Sequence, residues 1–154
     1  MDLNTLFSIS NLLVVPLWLL MIVAPRWPSA VRIIRSPLIA VPPALVYAAT
    51  VLPLVAQMGG DLFSSFGTLP AVVSLLSTPQ GALIGWVHFL CFDLFTGRWA
   101  YLDAIEKKIP ALLMAPVLFF IFMLGPVGLL MYLAVRSVLG LMKGRAPAAL
   151  QVAK

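Results

Sequence analysis

Four stretches of this chain run for about 20 residues or more with almost no charge, the length a helix needs to cross the hydrocarbon of a bilayer. In lipid every backbone N–H and C=O must find a partner within the protein, so runs of this kind fold as helices. The first extends from about Leu3 to Ala24 and stops at Pro25, Arg26, Trp27 and Pro28. The second opens at Ser36-Pro37, a hydroxyl cap followed by proline at the first helical position, and continues to about Met58. Thr78-Pro79 repeats the device and opens the third, which ends near Arg98. The fourth, from Ile109 to about Val135, is longer than an untilted span requires, and Gly125-Pro126 inside it predicts a kink. Between the second and third runs lies GGDLFSSFGTLPAVVSLLS, whose second half has helical apolar spacing and is expected to form a short interfacial helix. The expected fold class is therefore all-α: an integral membrane bundle of four transmembrane helices, one domain over residues 1–137, followed by a basic, flexible tail at 138–154.

The balance of residue types excludes a soluble domain, which carries about 25% charged residues; here 62% are hydrophobic and 10% charged. MDLNTLF at the N-terminus has no Lys or Arg, so no cleaved signal peptide is expected and the first run should remain as a permanent helix. The formal charge of +5 comes from basic residues that flank apolar runs, which points to topology and lipid headgroups rather than nucleic acid. A lone cysteine, Cys91, excludes an internal disulfide and a CxxC metal site. Arg26, Arg32 and Arg35 lie between the first two runs, and Arg98, Lys107 and Lys108 between the last two. The positive-inside rule places both loops in the cytoplasm and, with four spans, both termini outside, in a bacterial inner membrane. Arg136, Lys143, Arg145 and Lys154 then fall on the other side, six basic residues against four. A fourth segment that turned back at GPVG would bring all ten together.

The third run contains a contradiction. GWVHFLCFDLFTGRWAYLD, residues 85–103, is apolar enough to enter a membrane, yet it holds the only histidine, His88, and then Asp93. An ionised Asp near the centre of a lipid-exposed helix costs roughly 3 kcal/mol on insertion scales. At 100° per residue His88 and Asp93 stand about 140° apart and about 7.5 Å along the axis, with Gly85, Phe89, Phe92, Thr96 and Asp103 projecting between them. Such a face is expected to turn inward, with this helix at the centre of the bundle. Asn11 in the first run lies at the same depth as His88, about 12 to 14 Å in, and Tyr47 falls near that level. The carbonyls freed by Pro42-Pro43 or Pro116 are expected near Asp93. An interhelical hydrogen bond between Asn11 and His88 is the plain structural alternative, and Arg98, Trp99 and Asp103 fit an interfacial belt.

Absences narrow the chemistry. No span contains Lys, so a retinal Schiff base has no nucleophile; one His cannot supply a bis-His haem or a His-rich di-iron site, and no phosphate loop or serine elbow occurs. A His and a carboxylate in a low-dielectric pocket remain, a pair suited to proton transfer on an apolar substrate. No metal or other cofactor is expected.

Asn11 with Pro16 and Trp18, the segment GWVHFLCFDLFTGRWAYLD, and GPVGLLMYLAVR at 125–136 together make the chain resemble the abscisic-acid-deficient-four-like membrane proteins over about residues 4–137. Plant members of that family are required to make the allenic carotenoid neoxanthin from violaxanthin, in plastid membranes. The resemblance implies a carotenoid or related isoprenoid substrate and an isomerisation, for which no redox cofactor is needed. A proton reaches the epoxide oxygen, another leaves the neighbouring polyene carbon, and the allene forms. By chemistry His88 and Asp93 suit the acid and base, in either order, while Asn11, Tyr47, Trp86, Arg98, Trp99 and Asp103 are the candidate substrate contacts. Expected partners are the isoprenoid and membrane lipid, not nucleic acid; a second copy of the chain and a carotenoid-pathway enzyme are further candidates. The competing functions are a non-catalytic carotenoid or lipid binding and assembly protein, and a small transporter in which Asp93 relays protons.

Overall fold

Hydroxyl-proline pairs start the helices where the sequence places them. In the computed structural model, which describes residues 2–59 and 64–144, Thr78 Oγ1 accepts the Gly81 N–H at 2.9 Å ahead of Pro79. Ser36 Oγ likewise accepts the Leu38 N–H, at 3.3 Å, ahead of Pro37. Each hydroxyl satisfies a donor that a helix start leaves without an intrahelical partner.

The helices follow in order: α1 (Leu3–Val23), α2 (Pro28–Arg35), a short 3-10 turn (Pro37–Ala40) leading into α3 (Val41–Met58), α4 (Leu69–Leu76), α5 (Pro79–Glu106), α6 (Ala111–Leu124) and α7 (Pro126–Gly144). Among the described residues there is no strand. The all-α expectation holds, and α4 is the short helix expected between the second and third runs; Thr68 caps it and it meets α5 at 98°. α2 was not anticipated. It is an eight-residue helix that carries Arg32 and Arg35 in its last turn. α7 runs on to Gly144, into the stretch expected as a tail, and residues 145–154 lie outside the described residues.

The expected four spans are not all present as such. By length and composition, α1 and the stretch Pro37–Met58 can each cross a membrane, and α4 with α5 makes a third only as a bent pair. α5 alone is long enough, but its polar residues dilute its hydropathy. The fourth span, expected as one long helix kinked at Gly125-Pro126, is two short helices that fold back on each other. Gly125 reverses the chain with φ 32° and ψ −89°. Beyond it Gly128 lies against the backbone of Phe120 and Ile121, so close that a Cβ there would overlap them. At the far end Ile109, just before α6, shares a cavity wall with Leu139 and Gly140 of α7. Glycine is required at the turn because an L side chain rarely adopts that φ, and at 128 because the two backbones touch.

α5 packs against every other helix. The core along it comprises Trp18 and Met21 of α1, Leu94 and Tyr101 of α5, Leu118 and Ile121 of α6, and Tyr132 of α7. Gly97 lets α1 approach closely: a Cβ there would collide with the Trp18 indole, which also packs against the Phe122 ring, 5.2 Å between centroids. Small residues at crossings serve this purpose in membrane helices, where packing rather than water exclusion holds helices together. The open end of the hairpin is tied to α5 by charge. Asp103 accepts a hydrogen bond from the Tyr132 hydroxyl and one from Lys107 Nζ at 2.7 Å, and Arg136 Nε lies 3.3 Å from its other oxygen.

Candidate functional site

The half-length hairpin leaves room beside α5. Asp93 is near the middle of this 28-residue helix, about 20 Å from either end, and the turn of the hairpin is level with it: a Cβ on Gly125 would overlap the Asp93 carboxylate. Past the turn, between α5 and the tip of the hairpin, lies a cleft of about 580 Å³. Trp86, His88, Phe89, Phe92, Asp93 and Thr96 form the α5 wall, and Phe122 to Pro126 with Leu129 form the other. The volume lies within the range of small-molecule sites, and an apolar lining with a few convergent polar groups is their usual chemistry.

Each polar group arrives there for a local reason. Asp93 sits beside Gly125, the residue that precedes the first turn of α7, so the positive end of that helix lies next to the carboxylate and offsets part of the cost of placing it among apolar side chains. His88 is one and a half turns earlier on α5, held among rings: Phe92 at 4.7 Å, Tyr47 of α3 at 5.5 Å and Phe89 at 6.1 Å between centroids. Among the described residues no protein group is hydrogen-bonded to the side chain of His88 or of Asp93. Both are half-buried, and their polar atoms are available to a ligand.

His88 and Phe89 also line a second cleft, of about 390 Å³, together with Tyr47, Val51 and Leu54 of α3, Leu75 and Leu76 of α4, and Gly81, Ile84 and Gly85 of α5. The two clefts meet at His88. From Thr96 to Gly81 this apolar surface follows α5 for about 22 Å.

The other candidate residues distribute as follows. Trp86 lines the first cleft and packs against Phe7 at 5.7 Å. Tyr47 lines the second. Asn11 Nδ2 donates to the Phe7 carbonyl one turn back in α1, at 2.8 Å, and lines neither cleft; no hydrogen bond joins it to His88 among the described residues. Arg98 fastens the end of α2, its Nε donating to the Ile34 carbonyl at 2.9 Å and its guanidinium also to that of Arg35. Trp99 stands edge-on to Tyr132 at 5.2 Å, with Arg136 5.9 Å above its ring. Asp103 belongs to the ties of the hairpin. Arg98, Trp99 and Asp103 thus lie at the end of α5 away from His88, outside both clefts. Phe89, Leu90, Phe92, Thr96 and the hairpin tip line the first cleft without being among the candidate site residues. Thr96 was readable from the polar arc of the third run; the tip was not, because only the reversal brings it to Asp93.

Pro42-Pro43 and Pro116, expected near Asp93, do not line its cleft. Among the described residues no three His, Cys, Asp or Glu side chains gather closely enough to hold a metal ion. The arrangement offers two titratable groups along one greasy wall, separated by about one and a half helical turns and open to a long apolar molecule.

No curated protein and no solved structure matches the chain. A family model described as ABA DEFICIENT 4-like matches residues 5–132, nearly the whole helical region, and the α5 wall and the hairpin tip fall within it. The chain belongs to the ABA DEFICIENT 4-like family.

Proposed function

We propose that the protein is an intramembrane enzyme that isomerises a carotenoid or related isoprenoid by acid/base chemistry, in the manner of neoxanthin formation. The observation that carries this reading is the cleft itself: one otherwise apolar space contains both His88 and Asp93, and no described protein group occupies either by hydrogen bonding. Membership of a carotenoid-related family supports the substrate class.

In this reading the reactive end group lies between α5 and the hairpin tip, and the polyene lies along α5 past His88 into the second cleft. One of the two residues gives its proton to the epoxide oxygen as the carbon–oxygen bond breaks. The other takes the proton from the adjacent polyene carbon, and the electron pair of that C–H bond becomes the second π bond of the allene. Atoms and electrons balance without an oxidant or reductant. The Phe89, Phe92 and Phe122 rings exclude water, which would otherwise open the epoxide to a diol.

The membrane arrangement proposed with it differs from four full spans. α1, α3 and α5 cross, and the α6–α7 hairpin enters from one side and stops at mid-depth, level with Asp93. Irregular backbone at that depth is tolerated where it lines a protein cavity. Every described basic residue then lies on the side from which the hairpin enters, which the positive-inside rule makes cytoplasmic.

Expression in a carotenoid-producing host, with extraction and mass analysis of the pigments, tests the proposal. The expected result is a new pigment of unchanged mass and altered retention, reproduced by purified protein given the precursor alone. Pigment that co-purifies without turnover would favour a binding and assembly protein, a reading that the long open groove also fits. Unchanged pigments with none carried through purification would overturn both.

A further inference from the structure

A separate cavity, of about 400 Å³, opens at the basic end of the bundle, where the end of α1, α2, the end of α5 and the start of α6 meet. It shares no residue with the cleft that holds His88 and Asp93. Its inner lining is apolar, with Ala104, Ile109, Met114 and Leu118, and two cations, Arg26 and Lys108, complete it. The Tyr101 hydroxyl, the polar group on the wall, is already used: it donates to the Pro25 carbonyl at 2.6 Å.

The two cations are uncommitted. Among the described residues neither the Arg26 nor the Lys108 side chain makes a hydrogen bond or ion pair, whereas Arg98, Lys107 and Arg136 on the same side all have partners. Lys108 has a positive φ, 55°, the one non-glycine residue with such a backbone among those described. That conformation is disfavoured for a residue with a Cβ, and Gly or Asn would adopt it more readily. A long cationic side chain occupies the turn instead, at the mouth of an apolar trough.

We propose that this cavity is a binding site for an anionic phospholipid, its phosphate held between Arg26 and Lys108 and its acyl chain lying over Met114 and Leu118. The charge is complementary, the trough runs onto the apolar helix α6 at Met114 and Leu118, and anionic lipids are concentrated in the leaflet that, in the membrane arrangement proposed above, this basic face meets. A bound lipid would join the α1–α2 corner to the α5–α6 turn.

The test uses the full chain, purified in a neutral detergent, with native mass spectrometry to titrate phosphatidylglycerol against phosphatidylcholine. The expected result is preferential retention of phosphatidylglycerol, weakened about tenfold or more in R26Q/K108Q, preserved in R26K/K108R, and unaffected by R32Q. If the double variant does not fold, R26Q and K108Q singly must each weaken retention several-fold. Equal retention of the two lipids, retention unchanged by removing both charges, or loss in the charge-keeping pair would overturn the site. Displacement of the lipid by inorganic phosphate at equal concentration would overturn the lipid in favour of a free anion.

Discussion

A carboxylate at mid-depth in a membrane helix is a problem visible in the sequence, because insertion scales charge roughly 3 kcal/mol for it. What the residue order could not reveal is its neighbour. Gly125 lies 32 positions away, and its role depends on a backbone angle, φ 32°, that a Gly-Pro pair permits without specifying. Gly125→Ala would meet two obstacles, since the added methyl adopts a disfavoured φ and overlaps the Asp93 carboxylate. We expect about 1–3 kcal/mol of destabilisation from the backbone conformation, read as a lowered melting temperature in detergent. Product formation per folded molecule should fall as well, because the carboxylate is pushed aside. A variant of unchanged melting temperature and activity would contradict the packing of the tip on Asp93. His88 was equally conspicuous as the one histidine, but its setting among Tyr47, Phe89 and Phe92 needs the tertiary structure.

Helix starts were legible because the signal is local: a hydroxyl and a proline within two residues satisfy the first donors wherever the rest of the chain goes. The hairpin was not, because the same Gly-Pro step serves a kink or a reversal, and long-range pairing decides between them. That pairing is concentrated on Asp103, which anchors Tyr132 and Arg136 of α7 and Lys107, the residue just past the end of α5. The tally of basic residues hinted at it, since only a returning segment gathers them on one side. Asp103→Ala should therefore loosen α7 by about 1–3 kcal/mol, the scale of a lost charged hydrogen bond together with a cation left without its partner. Tyr132→Phe should cost less, and the two changes combined less than their sum, since they remove the same bond. Limited proteolysis near Ser137 and thermal melting measure both. Strictly additive effects would mean that the Tyr132–Asp103 bond does not hold the hairpin.

For the molecule as a whole, the membrane arrangement proposed above, with a returning hairpin, differs from four full crossings. Ser29, at the start of α2, and Ser137, late in α7, are both exposed and should lie on one side, while Ser77, ahead of α5, should lie on the other. In a Cys91→Ala background, single Ser29→Cys, Ser137→Cys and Ser77→Cys variants labelled with a membrane-impermeant reagent test this. Ser29 and Ser137 are expected to react from the same face and Ser77 from the opposite one. Reaction of Ser137 with Ser77 would restore the fourth full span.

The proposed topology matters to function because a hairpin whose tip stops level with Asp93 leaves a cleft that His88 and Asp93 both line. The most direct test measures melting temperature and turnover on the same detergent-solubilised preparations of Asp93→Asn and His88→Gln. The amide of Asn is nearly isosteric with the carboxylate and avoids burying a charge, so Asp93→Asn is expected to fold with an unchanged or raised melting temperature while product formation falls by about 100-fold or more. His88→Gln should likewise fold and lose activity on that scale. A lowered melting temperature with full activity per folded molecule, or full activity in both variants, would contradict acid/base catalysis by this pair.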